Sequence, residues 1–393
     1  MERNHELKSL LTSCDQEEAK SLLFRTGSNT EFDFGARIET ITSQDQCRQV
    51  QIHYNKKGKI KDVFTIQGFD TSSEIQLLRS TLLENQVQKF AQRVIYTTNK
   101  LRGYFRIDNV LQVLPIPTGR DDNLFTIAGE PLHFEFSYMG SQDHFINSQR
   151  AERRCRELVR LLNVLLRDSV KLGPRYSTEE WFYDFESQVN KTAFIGFADT
   201  TMGNPSNSFL STGELTQATC ASPLEYYENM LVMSGDDMVF PSNLQLLLST
   251  YSHLSGEEKK TYELAISWYS DAQGIEAVSS SACFNALTTA IECLLDDNVE
   301  KCNECSQPKY EISRKFNEFL LQYVPMGNDI DRAKKKFKDL YLTRSTLVHG
   351  SGKYAHDLFS NMGGFETSRD RAELRLMIQI VKVALINWLS SRI

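Results

Sequence analysis

The chain has no long apolar run. Its most hydrophobic stretch, residues 374–389, is interrupted by Arg375, Gln379, Lys382 and Asn387, whereas a bilayer-spanning helix needs roughly 20 predominantly apolar residues. No membrane partner is expected. The start, Met1-Glu2-Arg3-Asn4-His5-Glu6-Leu7-Lys8, is polar and carries both charge signs, so it is not read as a secretory leader. The eight cysteines, Cys14, Cys47, Cys155, Cys220, Cys283, Cys293, Cys302 and Cys305, are scattered over 393 residues, unlike the dense disulfide framework of a small secreted domain. A reduced, cytoplasmic protein is the expectation. Positive charge is not in excess either, because 44 Lys and Arg stand against 51 Asp and Glu, a net charge of -7. That balance argues against a protein that coats nucleic acid over its whole surface. It leaves room for a local basic groove, since affinity for phosphate depends on where charges cluster. No G-x-S-x-G, H-E-x-x-H or G-x-G-x-x-G pattern occurs, and there is no internal repeat or low-complexity tract. Gly350-Ser351-Gly352-Lys353 looks superficially like a phosphate loop but lacks the upstream glycine and a preceding strand, which excludes nucleotide hydrolysis by that route.

What is present is ordinary globular composition, 40% hydrophobic and 24% charged, in a chain long enough for two or three domains and a sizeable core. The predicted fold class is α+β. A mixed α/β sensor or regulatory domain covers 1–145, a helical connector and Ser/Thr/Asn-rich linker covers 146–222, and an all-α helical bundle covers 223–393. Val50, Ile52 and Tyr54 alternate, Asn55-Lys56-Lys57-Gly58 turns, and Ile60, Val63, Phe64 and Ile66 supply a partner strand. Residues 111–116 and 124–127 read as strands around a polar stretch. Leu132, Phe134, Phe136 and Tyr138 alternate as a strand with one buried face. Residues 74–99 read as a helix, as do residues 147–172, where Arg150, Arg153, Arg154, Arg156 and Arg160 accompany a leucine-rich stripe. That arginine run is either an RNA- or partner-binding face or the solvated side of an amphipathic helix, and the second reading is preferred. Residues 200–222, rich in Ser, Thr, Asn and Gly, read as a loop or linker. From Ser255, followed by Glu257 and Glu258, a helical pattern runs toward Leu295 with a break near Gly274, and further helices follow at 311–323, 330–348 and 369–391. Four or more helices suit a bundle.

The most informative run is 340–350, L-Y-L-T-R-S-T-L-V-H-G. It places Arg344 and His349 five positions apart at the end of a predicted helix that Gly350 would terminate. Such a pair can cut RNA without a metal. Histidine exchanges protons near neutral pH, as the 2′-hydroxyl and the leaving oxygen require. Arginine stays charged, and its planar fork suits phosphate oxygens that gain charge in the transition state. The helix end favours protonated His349, and nearby Arg344 opposes it. On an ideal helix the two side chains stand about 140° apart around the axis, so a frayed last turn or a second copy of the chain is needed to bring them together.

Residues 341–350 resemble the signature of the HEPN superfamily, closest to the Apea-like branch, in which a similar R-S-x-x-V-H-G string recurs. Residues 281–295, S-A-C-F-N-A-L-T-T-A-I-E-C-L-L, resemble an early helix of the same domain. Glu292 falls where many members carry an acidic residue, against the alternative of a solvated helix-surface carboxylate. Ser345 stands where many active members carry Asn, Asp or His, and its hydroxyl remains a donor. The resemblance covers the last third of the chain. It implies a HEPN-like bundle and a metal-independent endoribonuclease, with Arg344 and His349 catalytic and Ser345 and Glu292 supporting. Lys353, a neighbour of His349, and Lys338 are candidate contacts to RNA phosphate, and for Lys353 a solvated lysine is the preferred alternative. The resemblance also implies a homodimer in which both motifs line one cleft, an RNA product bearing a cyclic phosphate, and a role as a toxin or antiviral-defence effector with an antitoxin or phage trigger. The alternative is a non-catalytic dimerisation or partner-binding module. No cofactor is expected. Cys302 and Cys305 form a lone CxxC, an incomplete zinc ligand set for which Cys293 and Cys283 are the nearest additions. His356 is read as a surface histidine.

Overall fold

The computed structural model describes residues 2–15, 18–20, 28–43, 49–56, 58–67, 71–84, 86–116, 129–172, 178–184, 187–195, 207–228, 237–296, 300–301, 308–309, 311–325, 329–350, 352–358 and 365–393. The chain is mixed α/β, with helices gathered toward the C-terminus. Strand β1 (Glu2–Arg3), helix α1 (His5–Ser13), the antiparallel strands β2 (Ser28–Asp33), β3 (Ile38–Ser43), β4 (Gln49–Tyr54) and β5 (Ile60–Gln67), and helix α2 (Thr71–Arg79) form the N-terminal layer. Its sheet has the order β1-β5-β4-β3-β2. Period-two burial along β4 turns Val50 and Ile52 inward onto Leu7, Leu10 and Leu11 of α1, which Asn4 caps by accepting the Leu7 N–H at 2.9 Å.

A second antiparallel sheet, β10-β6-β9-β8-β7, comprises β6 (Val87–Thr97), β7 (Phe105–Ile107), β8 (Leu111–Pro115), β9 (Glu130–Gly140) and β10 (Val170–Leu172). The expected helix over 74–99 is therefore corrected. A π-helical turn closes α2 at Ser80–Glu84, and Val87–Thr97 is a strand paired along its whole length with β9, from Val87 opposite Gly140 to Thr97 opposite Glu130. The β-branched and aromatic residues Val94, Ile95, Tyr96 and Thr97 suit a half-buried pleat, and long-range pairing overrides the helical spacing upstream. The expected strand at 124–127 lies outside the described residues.

Helix α3 (His144–Leu165) is capped by Asp143, which accepts the N–H of Phe145 and Ile146 at 2.9 and 3.0 Å. It ends earlier than the sequence pattern implies. The Asn163 side chain accepts the Val170 N–H at 3.1 Å, and the chain turns to lay Val170–Leu172 beside β6. A hairpin of β11 (Thr178–Asp184) and β12 (Val189–Ile195) follows.

The loop or linker expected over 200–222 is irregular in its described part, 207–222, apart from the short strand at Cys220–Ala221, and it straps the second sheet. The buried carboxylate of Glu135 accepts the Leu210 N–H at 3.0 Å and the amides of Gln92 and Gln112 at 2.7 and 2.6 Å, while Tyr104 and Thr216–Ala218 exchange backbone bonds. Gly103 has φ +87, and a Cβ there would meet the Thr216 carbonyl at 2.2 Å, so only glycine permits that approach.

Strand β13 (Cys220–Ala221) pairs in parallel with β14 (Phe240–Pro241) around α4 (Pro223–Glu228). Helices α5 (Leu244–His253), α6 (Gly256–Ile275), α7 (Ser280–Glu292), α8 (Ile312–Tyr323), α9 (Ile330–Val348), α10 (Ala355–Leu358) and α11 (Phe365–Ser390) complete the chain, with a short ribbon of β15 (Glu300–Lys301) and β16 (Pro308–Lys309) between α7 and α8. The break expected near Gly274 falls just after it, between Ile275 and Ser280. Helix α11 runs through the centre and buries Leu374, Met377, Val381, Leu385 and Leu389 against the other helices. Lys382 is enclosed with them and donates to the Arg167 carbonyl at 3.3 Å. None of the described helices is long and apolar enough to cross a membrane.

Two apolar cores result among the described residues. One holds residues from Leu7 to Leu82 together with Ile146, and the other joins the second sheet to the helices, from Ala91 to Leu389. The apolar packing thus divides between Leu82 and Ala91 rather than at residue 145.

Candidate functional site

Helix α9 starts on Asp329, whose side chain accepts the Arg332 N–H at 3.0 Å, and it buries Phe337 and Leu340 at helical spacing. It stops at His349. The His349 N–H donates to the carbonyls of Ser345, at 3.1 Å, and Leu347, and Gly350 takes φ +70, the left-handed conformation that ends helices.

Arg344 points inward. Its Nη2 donates to Glu292 Oε2 at 3.1 Å, with the two side chains 25% and 20% exposed. Glu292 is the last residue of α7, where the helix dipole disfavours a carboxylate. Its Oε1 is enclosed and lacks a hydrogen-bond partner among the described residues. Arg344 therefore offsets both an unfavourable dipole and a poorly solvated acceptor. The guanidinium also stands 5.8 Å from the centre of the Tyr341 ring, which packs on Phe316 of α8 at 5.2 Å. Burial pushes the Tyr341 hydroxyl pKa up, the charge of Glu292 adds to the rise, and Arg344 opposes it.

His349 points outward. Five residues on, it lies about 7.5 Å further along the axis and about 140° around it. Its ring is exposed, and among the described residues no hydrogen bond or ion pair engages it. Lys338 and Leu342, both exposed, share this outward face, since residues four and seven apart return to the same side. Lys353 is exposed beyond the helix end, and Ser345 is half-buried between the two faces. Arg344 and Glu292 are thus brought together, while Arg344 and His349 of one chain are directed to different faces of α9.

A carboxylate absent from the sequence reading, Asp357, fixes the segment after the motif. It accepts the N–H of Ser280 at 2.7 Å, the N–H of Ser281 at 3.0 Å and the Ser279 hydroxyl at 2.9 Å, and the Tyr354 N–H donates to Ser281 Oγ at 3.0 Å. Burial alone would raise the Asp357 pKa, but the hydrogen bonds from Ser281, Ser279 and Ser280 outweigh it and hold the carboxyl below its ordinary range. Residues 344–357 are consequently tied to both ends of α7, by Arg344 at its C-terminus and by Asp357 at its N-terminus. The three serines that open α7 are a visible helix-start signal, but nothing in the sequence pairs them with an aspartate 76 to 78 positions away.

Cys302 and Cys305 lie outside the described residues. Among the described residues no cluster of three or more His, Cys, Asp or Glu side chains could hold a metal ion. Cys283 is buried, and burial, followed by the charges of Glu276 and Asp357, pushes its thiol up to about 12; burial and then Glu292 raise that of Cys293. Both environments disfavour the thiolate that a metal requires. No family model, curated protein or solved structure matches the chain.

Proposed function

We propose that the end of α9 is a metal-independent endoribonuclease centre of HEPN type, completed by a second copy of the chain. The observation that carries this reading is the division of labour at the helix end. Arg344 is held in place by Glu292 yet remains a quarter exposed, and the His349 ring stands open to solvent with no described partner. An exposed imidazole without a described partner is open to a substrate's proton, and an oriented guanidinium can neutralise a scissile phosphate. In the reaction the 2′-hydroxyl gives its proton to one His349 and its oxygen attacks the phosphorus. The P–O bond to the 5′-oxygen breaks, and that oxygen takes a proton from the partner copy's imidazolium. The products are a 2′,3′-cyclic phosphate and a 5′-hydroxyl. Two copies facing across the outward side of α9 would supply both imidazoles, and Lys338 and Lys353 would flank the strand. A cell-arresting toxin or antiviral role, triggered through the N-terminal layer, extends this reading.

One observation favours a non-catalytic dimerisation or partner-binding module instead. The Arg344 guanidinium already serves a bridge between α7 and α9 on the far side from His349. End-labelled RNA incubated with the full chain in EDTA separates the two readings. Because His349 is exposed, His349→Ala should leave folding intact, so loss of cleavage in that variant reports chemistry. Arg344→Ala would strand Glu292, so Arg344→Gln is tested together with Glu292→Gln as a folding control. Cleavage by the parent chain that His349→Ala abolishes supports the nuclease. Undiminished cleavage by His349→Ala, or a strict metal requirement, would refute it.

A further inference from the structure

A cavity of about 580 Å³ opens at the seam between the two cores, within the range of roughly 300–1,000 Å³ typical of small-molecule sites. Its walls come from Cys14, Asp15 and Glu18 after α1, strands β6 and β9, helix α3 and the start of α6. The arginine run of α3 supplies its charge. The expectation that this run is a solvated basic face is corrected for Arg150, whose side chain is 13% exposed and whose nitrogens are all engaged. Nε donates to Glu18 at 2.9 Å, Nη1 to the Met139 carbonyl at 3.3 Å and Nη2 to the Leu82 carbonyl at 2.8 Å. Arg150 and the nearly buried Glu18 are thus structural and dock the N-terminal layer onto α3.

Three other cations on the wall keep donors in reserve. Arg153 meets Asp15 at 3.1 Å and Glu18 at 3.2 Å, in both cases through Nη1. Arg154 meets Glu157 through Nη1 at 2.8 Å. Lys259 Nζ lies 3.7 Å from Glu157 and 4.9 Å from the centre of the Tyr251 ring. Among the described residues, no hydrogen bond engages the remaining nitrogens of both guanidinium groups, and Lys259 makes only the long contact to Glu157. Among the described residues, three carboxylates, Asp15, Glu18 and Glu157, stand against four cations on this wall. The apolar part is the exposed Met139 side chain, and Gln88 and Asn109 offer amide edges beside it.

We infer that this seam cavity binds a nucleotide-sized organic phosphate, with its phosphate on Arg153, Arg154 and Lys259 and its base against the exposed Met139 side chain. Planar forks with spare N–H groups match phosphate oxygens, and a flat base covers apolar surface while its edge meets amides. Because one wall is the N-terminal layer and another is α6, an occupant bridges the two cores and stabilises their docking.

The test is titration calorimetry of the full chain at low salt in EDTA with AMP, GMP, CMP, UMP and ATP, and with inorganic phosphate for comparison. At least one nucleotide should bind saturably and at least about tenfold more tightly than inorganic phosphate. Arg154→Gln should weaken that binding about tenfold or more. Met139→Glu should do the same by like-charge repulsion. It breaks no ion pair, because Met139 is exposed and contributes only its carbonyl to Arg150, so its unliganded melting temperature should match the parent. No heat from any nucleotide at millimolar concentration overturns the inference. So does inorganic phosphate binding as tightly as the nucleotides, or binding that both variants leave unchanged. None of these outcomes depends on RNA cleavage, so the inference stands or falls apart from the ribonuclease reading.

Discussion

Replacing Asp357 tests whether the segment after the motif is clamped to α7 as described. Its carboxylate receives two backbone N–H groups from the first turn of the helix and one serine hydroxyl, at 2.7, 3.0 and 2.9 Å. Loss of a helix N-cap costs roughly 0.5–2 kcal/mol, and a negative charge at that end contributes a further 0.3–1 kcal/mol or so. Asp357→Ala should therefore destabilise the start of α7 by about 1–3 kcal/mol, a roughly 5- to 150-fold rise in local opening. Asp357→Asn keeps an acceptor and should lose about 1 kcal/mol or less. The folded-state pKa lies below the ordinary value of 3.8, so the stabilisation is fully present above that value and is lost as pH falls through the folded-state pKa. The difference between the parent and Asp357→Asn should accordingly be greatest near neutral pH and shrink below about pH 4. Hydrogen exchange read by mass spectrometry over 280–284 is the suitable assay, because a chain with two cores need not unfold in one step. Less than a twofold change in exchange at pH 7 in Asp357→Ala would refute the clamp.

Gly103→Ala places a methyl group 2.2 Å from the Thr216 carbonyl at φ +87 and should cost about 2 kcal/mol or more in denaturant unfolding; a cost below 0.5 kcal/mol or so would show that the 207–222 strap moves easily. Glu292→Gln, Arg344→Gln and their combination should give a coupling of about 1–2 kcal/mol, with the arginine change alone the more damaging because it strands a carboxylate; additive effects would mean that the bridge contributes nothing. The burial of Lys382 lowers its pKa from 10.5 to about 8, with Asp168 opposing the shift. Between those values the unfolded chain binds more protons than the folded one, so stability should rise with pH by about 3 kcal/mol across that window, and Lys382→Met should abolish the rise. Parallel stability–pH curves for the two proteins would contradict the burial of the ammonium.

Elements that signal themselves locally were legible. Helix α9 was expected at 330–348 and occupies Ile330–Val348, and Gly350 ends it through its own backbone freedom. The alternation of Leu132, Phe134, Phe136 and Tyr138 marks β9, because a strand with one buried face repeats every second residue. Elsewhere distant partners decided. Val87–Thr97 follows helical spacing on the N-terminal side, yet an eleven-residue ladder with β9 makes it a strand. The arginine run of α3 looks like a solvated face until Glu18 and Asp15 approach it from the N-terminal layer.

For the candidate site, the sequence by itself determined the residue types and their spacing, and with them the roughly 140° that separates Arg344 from His349 on any regular helix. Tertiary structure decided which way that helix is turned. The apolar positions Phe337 and Leu340 face the bundle, and this sends Arg344 to Glu292 and leaves His349 in solvent. It also decided that Asp357 caps α7 and that a seam exists between two cores, because both depend on groups that meet only after the chain has folded back on itself. Periodicity acts over a few residues and can be read along a line, whereas these contacts join positions far apart in sequence and follow from how buried faces pair.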